Sequence, residues 1–312
     1  MHEKARILVP GSQGLVGSAI CRRLRQLGFT NLLTPVRREL ELMDRAAVDK
    51  FFAGERPEYV FMSAARVGGI LANSTRPAEF IYENLAVQIN VIDSAYRHEV
   101  RKLQFLGSSC IYPRMAPQPI REEYLLTGPL EPTNQAYAVA KIAGIEMAQS
   151  YRRQYGFDAI SLMPTNLYGP GDRFDLNQSH VLPALLRKLH DAKMNGAQEA
   201  VIWGTGTPLR EFLHVDDLAD AAVYLMRNYS APEIVNVGTG EEITIKDLAV
   251  IIKRVVGFEG QIVHDTSKPD GMPRKLLDVS RLNALGWKAS IPLEEGIRQT
   301  YQWYLQSKFA TA

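Results

Sequence analysis

Three glycines at positions 11, 14 and 17 sit directly between an apolar run and a helix-period run, and this turn constrains the chain more than any other feature. Ala5 to Pro10 reads as a buried strand, and Leu15 to Leu27 reads as a helix with Ile20, Leu24 and Leu27 at three-to-four spacing. A strand that turns at once into a helix needs a backbone that only small residues tolerate. The same grammar then repeats. Strands are predicted near Asn31 to Val36, Tyr59 to Met62, Lys102 to Leu106 and Ala159 to Met163, with Pro164 as a stop. Helices are predicted at Ala46 to Phe52, near Ala78 to His98 and at Gln135 to Tyr155. Strands and helices in such alternation predict parallel pairing with right-handed crossovers and helices on both faces of one sheet.

That architecture is α/β, a doubly wound parallel sheet of the Rossmann type. After Pro164 the pattern changes: Gly169-Pro170-Gly171 breaks the chain, and short strands such as Val201 to Trp203 and Ile234 to Val237 mix with helices. We expect residues 1–165 to form the dinucleotide domain and 166–312 mainly a smaller α+β substrate domain, with part of 210–240 packing back on the first. The length of 312 residues suits two such units. A formal charge of +2 gives no global field for nucleic acid, so an anionic ligand must be met by local Arg and Lys. The two cysteines, Cys21 and Cys110, exclude a disulfide scaffold and suit a reducing, cytoplasmic setting. No run reaches the roughly 18 apolar residues of a membrane span. The charged start Met1-His2-Glu3-Lys4 runs straight into the first strand, without the apolar segment of a signal peptide.

The turn Gly11-Ser12-Gln13-Gly14-Leu15-Val16-Gly17 has the spacing and the strand-to-helix position that let a pyrophosphate approach the main chain at a helix N-terminus. The bland alternative is an ordinary glycine-rich turn. At the end of the second strand, Arg37 and Arg38 stand where an acidic residue would accept the ribose hydroxyls of NAD. Guanidinium groups match a 2′-phosphate, which points to NADP(H), although two solvated surface arginines remain the alternative.

In Tyr137-Ala138-Val139-Ala140-Lys141 a phenol and an ammonium lie four residues apart on one helical face. A neighbouring cation is expected to stabilise the phenolate and lower the tyrosine pKa. Ser108 follows the strand Lys102 to Leu106 and so lies at the carboxyl edge of the sheet, where open α/β sheets bind ligands.

The glycine turn with Ser108, Tyr137 and Lys141 resembles the extended short-chain dehydrogenase/reductase superfamily. Ala64-Ala65-Arg66-Val67-Gly68-Gly69-Ile70, Gly107-Ser108-Ser109-Cys110-Ile111-Tyr112-Pro113 and Pro164-Thr165-Asn166-Leu167-Tyr168-Gly169-Pro170 narrow the resemblance. With Ser179-His180-Val181-Leu182-Pro183 and Arg210-Glu211-Phe212-Leu213-His214-Val215-Asp216-Asp217, they are similar to the GDP-L-fucose synthase family over about residues 5 to 305. The resemblance implies an NADPH-dependent 3,5-epimerase/4-reductase acting on GDP-4-keto-6-deoxy-D-mannose. It assigns ketone reduction to Ser108, Tyr137 and Lys141, and proton exchange during epimerisation to Cys110 and His180. It implies cofactor contacts from the glycine turn, from Arg37 and Arg38, from Ala64, Ala65, Leu106, Gly107 and Lys141, and from Pro164, Thr165, Asn166, Leu167 and His180. Lys188, Trp203, Arg210, Asp270 and Lys275 are implied at the GDP-sugar, with the cations on the diphosphate and the indole beside the guanine. No metal is implied, and a homodimer on the helices near 78 to 98 and 135 to 155 is expected from the superfamily.

The chemistry is consistent with these assignments. A C4 ketone acidifies the hydrogens on C3 and C5, and a thiol and an imidazole are well matched to proton transfer near neutral pH. Ser108-Ser109-Cys110 also lacks the carboxylate that related 4,6-dehydratases carry there. Cys21, on an apolar helix face, reads as a small hydrophobe. Two departures stand out: Gln13 occupies a place where many family members have Arg, and Gly171-Asp172-Arg173-Phe174-Asp175-Leu176 differs from the commoner form. The alternatives are the same chemistry on a 3,6-dideoxy or heptose GDP-ketosugar, and a non-enzymatic dinucleotide-binding regulator.

Overall fold

A computed structural model of the protein describes residues 1–175, 179–267 and 270–307. Leu176, named above, lies outside the described residues.

The first half alternates as its sequence predicts. It runs β1 Ile7–Leu8, α1 Leu15–Gln26, β2 Leu32–Leu33, α2 Arg45–Glu55, β3 Tyr59–Met62, α3 Ile70–Thr75, α4 Pro77–Arg97, β4 Lys102–Leu106, α5 Gln135–Tyr155 and β5 Ala159–Pro164. The first two strands are shorter than their apolar runs. Pro10 and Pro35 carry no N–H for the ladder, and pairing is confined to Ile7 with Leu32 and Leu8 with Leu33.

The second half runs β6 Asn166–Tyr168, α6 Val181–Met194, β7 Glu199–Trp203, β8 Leu209–Arg210, β9 Phe212–His214, α7 Val215–Asn228 and β10 Val235–Val237. It continues through β11 Ile243–Thr244, α8 Ile245–Val256, β12 Gln261–Asp265, β13 Arg274–Lys275, α9 Ser280–Ala284 and α10 Leu293–Gln306.

Six strands form one parallel sheet in the order β10-β5-β4-β3-β1-β2. Every residue of β4 and β5 is buried, as both faces of a parallel sheet require. Alternation along β1 sends Ile7 and Val9 to the core under α1 and α7, with Ile20, Leu24, Leu218 and Leu225. Leu8 points to the opposite core, under α4 and α5, with Val91, Phe105 and Ile145. The chain therefore recrosses after residue 165: α7 packs on the sheet, β10 is its edge strand, and Trp287 joins the same core. A third core, with Leu186, Leu248, Ile252 and Tyr304, lies among α6, α8 and α10.

The sheet order reverses at β1 and β3, so the ends of these strands flank the crevice where open α/β sheets bind ligands. Glu211, fully buried between β8 and β9, ties the substrate side to that crevice. Its Oε1 accepts the N–H groups of Thr239 (2.7 Å) and Gly240 (2.8 Å), and its Oε2 accepts that of Leu277 (3.0 Å). A side chain on Gly238 would overlap this carboxylate. Burial pushes the Glu211 pKa up while the N–H donors pull it down. Glu211→Gln puts an NH₂ where an acceptor is needed and strands a buried N–H. We expect a loss of about 1–3 kcal/mol in urea unfolding, and an unchanged midpoint would refute this role.

Candidate active site

Each glycine of the turn after β1 meets a different constraint. Gly11 has φ +81°, and a Cβ there would lie 2.9 Å from the backbone of Ala64, which follows β3. Gly14 is the N-cap of α1 and donates its N–H to the Gly11 carbonyl at 3.0 Å. A Cβ on Gly17 would stand 2.1 Å from that carbonyl. The cradle needs glycine at 11 and 17, whereas Gly14, with φ −80° and space for a Cβ, does not demand it, and the turn's backbone faces the start of α1.

Beside the turn lies a cleft of 340 Å³, lined by Ser12, Gln13 and Thr34 and by the α1 face carrying Ser18, Arg22 and Arg25. These cations were not singled out in the sequence, although Ser18, Arg22 and Arg25 follow helical spacing. Arg37 does not line this cleft: its Nε donates to Glu41 at 2.7 Å and its side chain is exposed, as is Arg38.

At the carboxyl end of β4, Ser108 adopts an extended backbone and its Oγ accepts the Cys110 N–H at 3.2 Å. That bond caps the short helical turn Ser109–Ile111 and sets the position of the half-buried Cys110. Tyr137 and Lys141 lie on the first turns of α5, and the Ser108 hydroxyl is near enough to the Tyr137 phenol to act on its pKa. Phe80 of α4 meets the Tyr137 ring edge-on at 6.4 Å and lies under the Arg66 guanidinium. Asn84 in turn holds the backbone of Arg66, accepting its N–H at 2.9 Å and donating to its carbonyl at 3.1 Å. The loop after β3 and the α5 tyrosine are thus clamped to one helix. None of these α4 contacts is visible in a sequence motif.

The expected lowering of the tyrosine pKa by Lys141 is not found. Burial pushes Tyr137 up, the nearby Cys110 adds to the rise, and the Ser108 hydrogen bond opposes it. The Lys141 ammonium instead donates to the Leu106 carbonyl at 2.7 Å, and burial lowers its pKa to about 8. Tyr137 therefore keeps its proton and is suited to donate it.

His180 forms the N-cap of α6. Much of the residue remains accessible to water, yet protein crowds the imidazole, and this burial, with the Lys275 charge second, lowers its pKa. The Lys275 ammonium donates to Cys110 Sγ at 3.5 Å. Ser108, Cys110, Tyr137, His180 and Lys275 thus form one linked cluster, with Lys141 behind it.

Among the other implied substrate residues, Arg210 pairs with Lys275 across β8 and β13. Burial lowers the Arg210 pKa, and the Asp270 charge opposes the shift. Asp270 is fixed by the Thr205 N–H (2.9 Å) and hydroxyl (2.7 Å). The Lys188 ammonium lies over the Trp203 indole at 4.6 Å, so a cation covers part of the ring assigned to the guanine. Thr165 donates its N–H to the Val237 carbonyl, and Asn166 donates its amide to the Glu211 carbonyl. They carry Pro164 and Leu167 across from β5 to β6. In the atypical loop, Gly171 abuts the start of α1, and burial pushes the Asp172 pKa up to about 7. Among the described residues, no group of three His, Cys, Asp or Glu side chains could hold a metal ion.

Residues 7–238 match the NAD dependent epimerase/dehydratase family. A putative GDP-L-fucose synthase 2 of Arabidopsis thaliana is 61% identical over 307 residues, covering 98% of this chain and 94% of that protein. The GDP-L-fucose synthase of Escherichia coli (strain K12) is 53% identical over 314 residues, covering 98% of each. A solved GDP-L-fucose synthetase from Naegleria fowleri bound to NADP superposes with a TM-score of 0.90 at 31% identity, covering 98% of this chain and 95% of that one.

Proposed function

The chain belongs to the NAD dependent epimerase/dehydratase family, and from that membership we propose that it converts GDP-4-keto-6-deoxy-D-mannose to GDP-L-fucose with NADPH. It epimerises C3 and C5 and then reduces the C4 ketone. The observation that carries this reading is the adjacency of a Ser108–Tyr137 hydroxyl pair and a thiol, Cys110, on one turn at the sheet edge. A reductase alone has no need of the thiol, and a dehydratase would need a carboxylate there.

The glycine cradle and the cationic cleft beside it fit a phosphorylated dinucleotide. Gly11, Gly14 and Gly17, with Ser12, Gln13, Leu15 and Val16, would hold the pyrophosphate at the α1 N-terminus. Arg25 and Arg22, the latter also paired with Asp216 at 2.5 Å, line the cleft that would take the 2′-phosphate, and Arg37 and Arg38 would reach it only from outside that lining. Ala64, Ala65, Leu106, Gly107 and the segment Pro164 to Leu167 would border the nicotinamide half. When bound, NADPH supplies the hydride for C4.

The protein's own groups handle the protons. Ser108 and Tyr137 donate hydrogen bonds to the C4 oxygen, which gathers charge twice, first as the enolate of epimerisation and then as the alkoxide of reduction. Cys110 and His180 exchange protons with C3 and C5 while the electron pair resides on that oxygen. Tyr137 finally gives the oxygen its proton, and Lys141 positions the nicotinamide ribose. Arg210 and Lys188 face the diphosphate, and Asp270 anchors the loop beside Arg210.

Free cysteines and the absence, among the described residues, of a helix long and apolar enough to cross a membrane support a cytoplasmic setting. Exposed Tyr82 and Ile89 on α4 and Val139 on α5 support a homodimer through these helices.

Incubating the protein with NADPH and the ketosugar nucleotide should oxidise NADPH and yield GDP-L-fucose, identified by NMR of the product. Absence of NADPH loss above the blank, or a reduced product not inverted at C3 and C5, refutes the proposal. Faster turnover of a GDP-ketoheptose would reassign the substrate.

A further inference from the structure

We infer that Lys275 is a positioning residue for epimerisation: its ammonium lies against Cys110 Sγ and meets the negative charge that the sulfur must bear to take a proton from carbon. The resemblance places Lys275 on the substrate diphosphate, whereas in the structure its hydrogen bond goes to Cys110 Sγ, at 3.5 Å.

The surroundings explain why that contact forms. β13 pairs in parallel with β8, with Lys275 opposite Arg210. Like charges directly opposite on paired strands destabilise each other unless each has a countercharge. Asp270 offers one to Arg210, and its charge acts on the guanidinium. The sulfur is placed to be the other. Its backbone is fixed by the Ser108 bond to the Cys110 N–H, which sets the place from which the sulfur meets Lys275.

Two groups from two elements, Tyr137 and Lys275, act on this sulfur, and His180 feels the same ammonium. Tyr137 of α5 is close enough for its ionisation to be opposed by a charge on Cys110, and a phenol that keeps its proton adds no negative charge of its own. Lys275 of β13 contributes the positive charge. His180, at the start of α6, also feels Lys275, which opposes an imidazolium. One ammonium thus acts on both members of the pair, and it is in contact with the sulfur alone, which marks Cys110 as the group that takes the proton from carbon. In that step the S–H bond forms as the C–H bond breaks, and the electron pair moves onto the C4 oxygen. The inversion is completed when His180, after taking a proton from solvent, gives it to the other face of the carbon as the electron pair returns from the C4 oxygen, and Cys110 then releases its own proton to solvent.

The catalytic meaning of this contact rests on the epimerase reading, but its test does not require the sugar. The probe is iodoacetamide, with alkylation of Cys110 followed by peptide mass spectrometry across pH in the full chain. Cys21 is buried and serves as an internal control for folding. Lys275→Met should slow alkylation roughly tenfold near pH 7, because the sulfur loses the cation in contact with it. Lys275→Arg should restore most of the rate. With the ketosugar nucleotide in deuterated water, Lys275→Met should lower the maximal rate of exchange at C3 and C5 by a similar factor, with KM little changed. An unchanged alkylation profile, or a raised KM with unchanged maximal exchange, returns Lys275 to the diphosphate and overturns the inference. If the alkylation shift occurs but no exchange is seen in wild-type protein, the contact stands and the proposed function fails.

Discussion

Tyr137→Phe should slow reduction of the C4 ketone by about 10³-fold while leaving KM for the sugar nucleotide little changed. The phenol is the proton source, and hydride arriving at C4 without it leaves an alkoxide in a partly desolvated pocket. The substitution isolates the hydroxyl. A phenylalanine keeps the edge-on contact with Phe80 and the fit against α4, so folding and cofactor affinity should hold. The direction of the tyrosine pKa sharpens the expectation: burial keeps the proton on oxygen, so the residue works as an acid. Single-turnover oxidation of NADPH with a pre-epimerised ketone is the direct measurement. A rate within tenfold of wild type would show that protonation comes from elsewhere. Lys141 adds a pH signature. Its pKa is lowered to about 8, so its charge is present below that pH and disappears as pH rises through it. The wild-type reduction rate should decline above about pH 8, and Lys141→Arg, whose guanidinium does not titrate there, should lose that bend.

Features set by a few neighbouring residues were legible before the fold was seen. The glycine turn announces itself by its spacing between a strand and a helix, and two of its glycines, Gly11 and Gly17, answer a local backbone demand. Tyr137 and Lys141 announce themselves because helical geometry alone puts them on one face. Features set by contacts between distant segments were not legible. Cys110 and Lys275 are 165 positions apart, and the pairing of β13 with β8, together with the bridge from Leu277 to Ile120, brings the ammonium to the sulfur. Glu211 sits in plain view inside a quoted motif, a carboxylate next to the buried pair Phe212 and Leu213. Its partners, Thr239, Gly240 and Leu277, come from later turns with no signature of their own. Arg22 and Arg25 were passed over because arginines on an amphipathic helix ordinarily read as a solvated face. The sign of the Tyr137 shift was misjudged for a related reason: a sequence shows that a cation is near in the helix, but not that it is bound to the Leu106 carbonyl.

The sharpest separation of the two half-reactions is expected from Cys110→Ser. A serine hydroxyl fills nearly the same space and can still receive a hydrogen bond from Lys275, so the pocket should stay assembled. What it lacks is an anion accessible near neutral pH, because an alcohol is a far weaker acid than a thiol whose unperturbed pKa is about 8.5. Deuterium uptake at C3 and C5 should therefore fall by on the order of 10³-fold. Hydride transfer to a ketone already inverted at both carbons should remain within a few-fold of wild type, because Ser108 and Tyr137 still bind the C4 oxygen. The substitution retains the group that caps the turn: the Ser108 Oγ accepts the backbone N–H of residue 110, which does not depend on that side chain. Equal loss of both activities would mean that the thiol serves the whole pocket and not the proton exchange alone. Retained exchange would transfer the base to His180, whose lowered pKa leaves it neutral and able to accept a proton near pH 7. The two readouts come from one sample, deuterium by NMR and NADPH by absorbance, so their ratio does not depend on how much of the variant is folded. That ratio decides whether one pocket divides its chemistry between a thiol and a phenol.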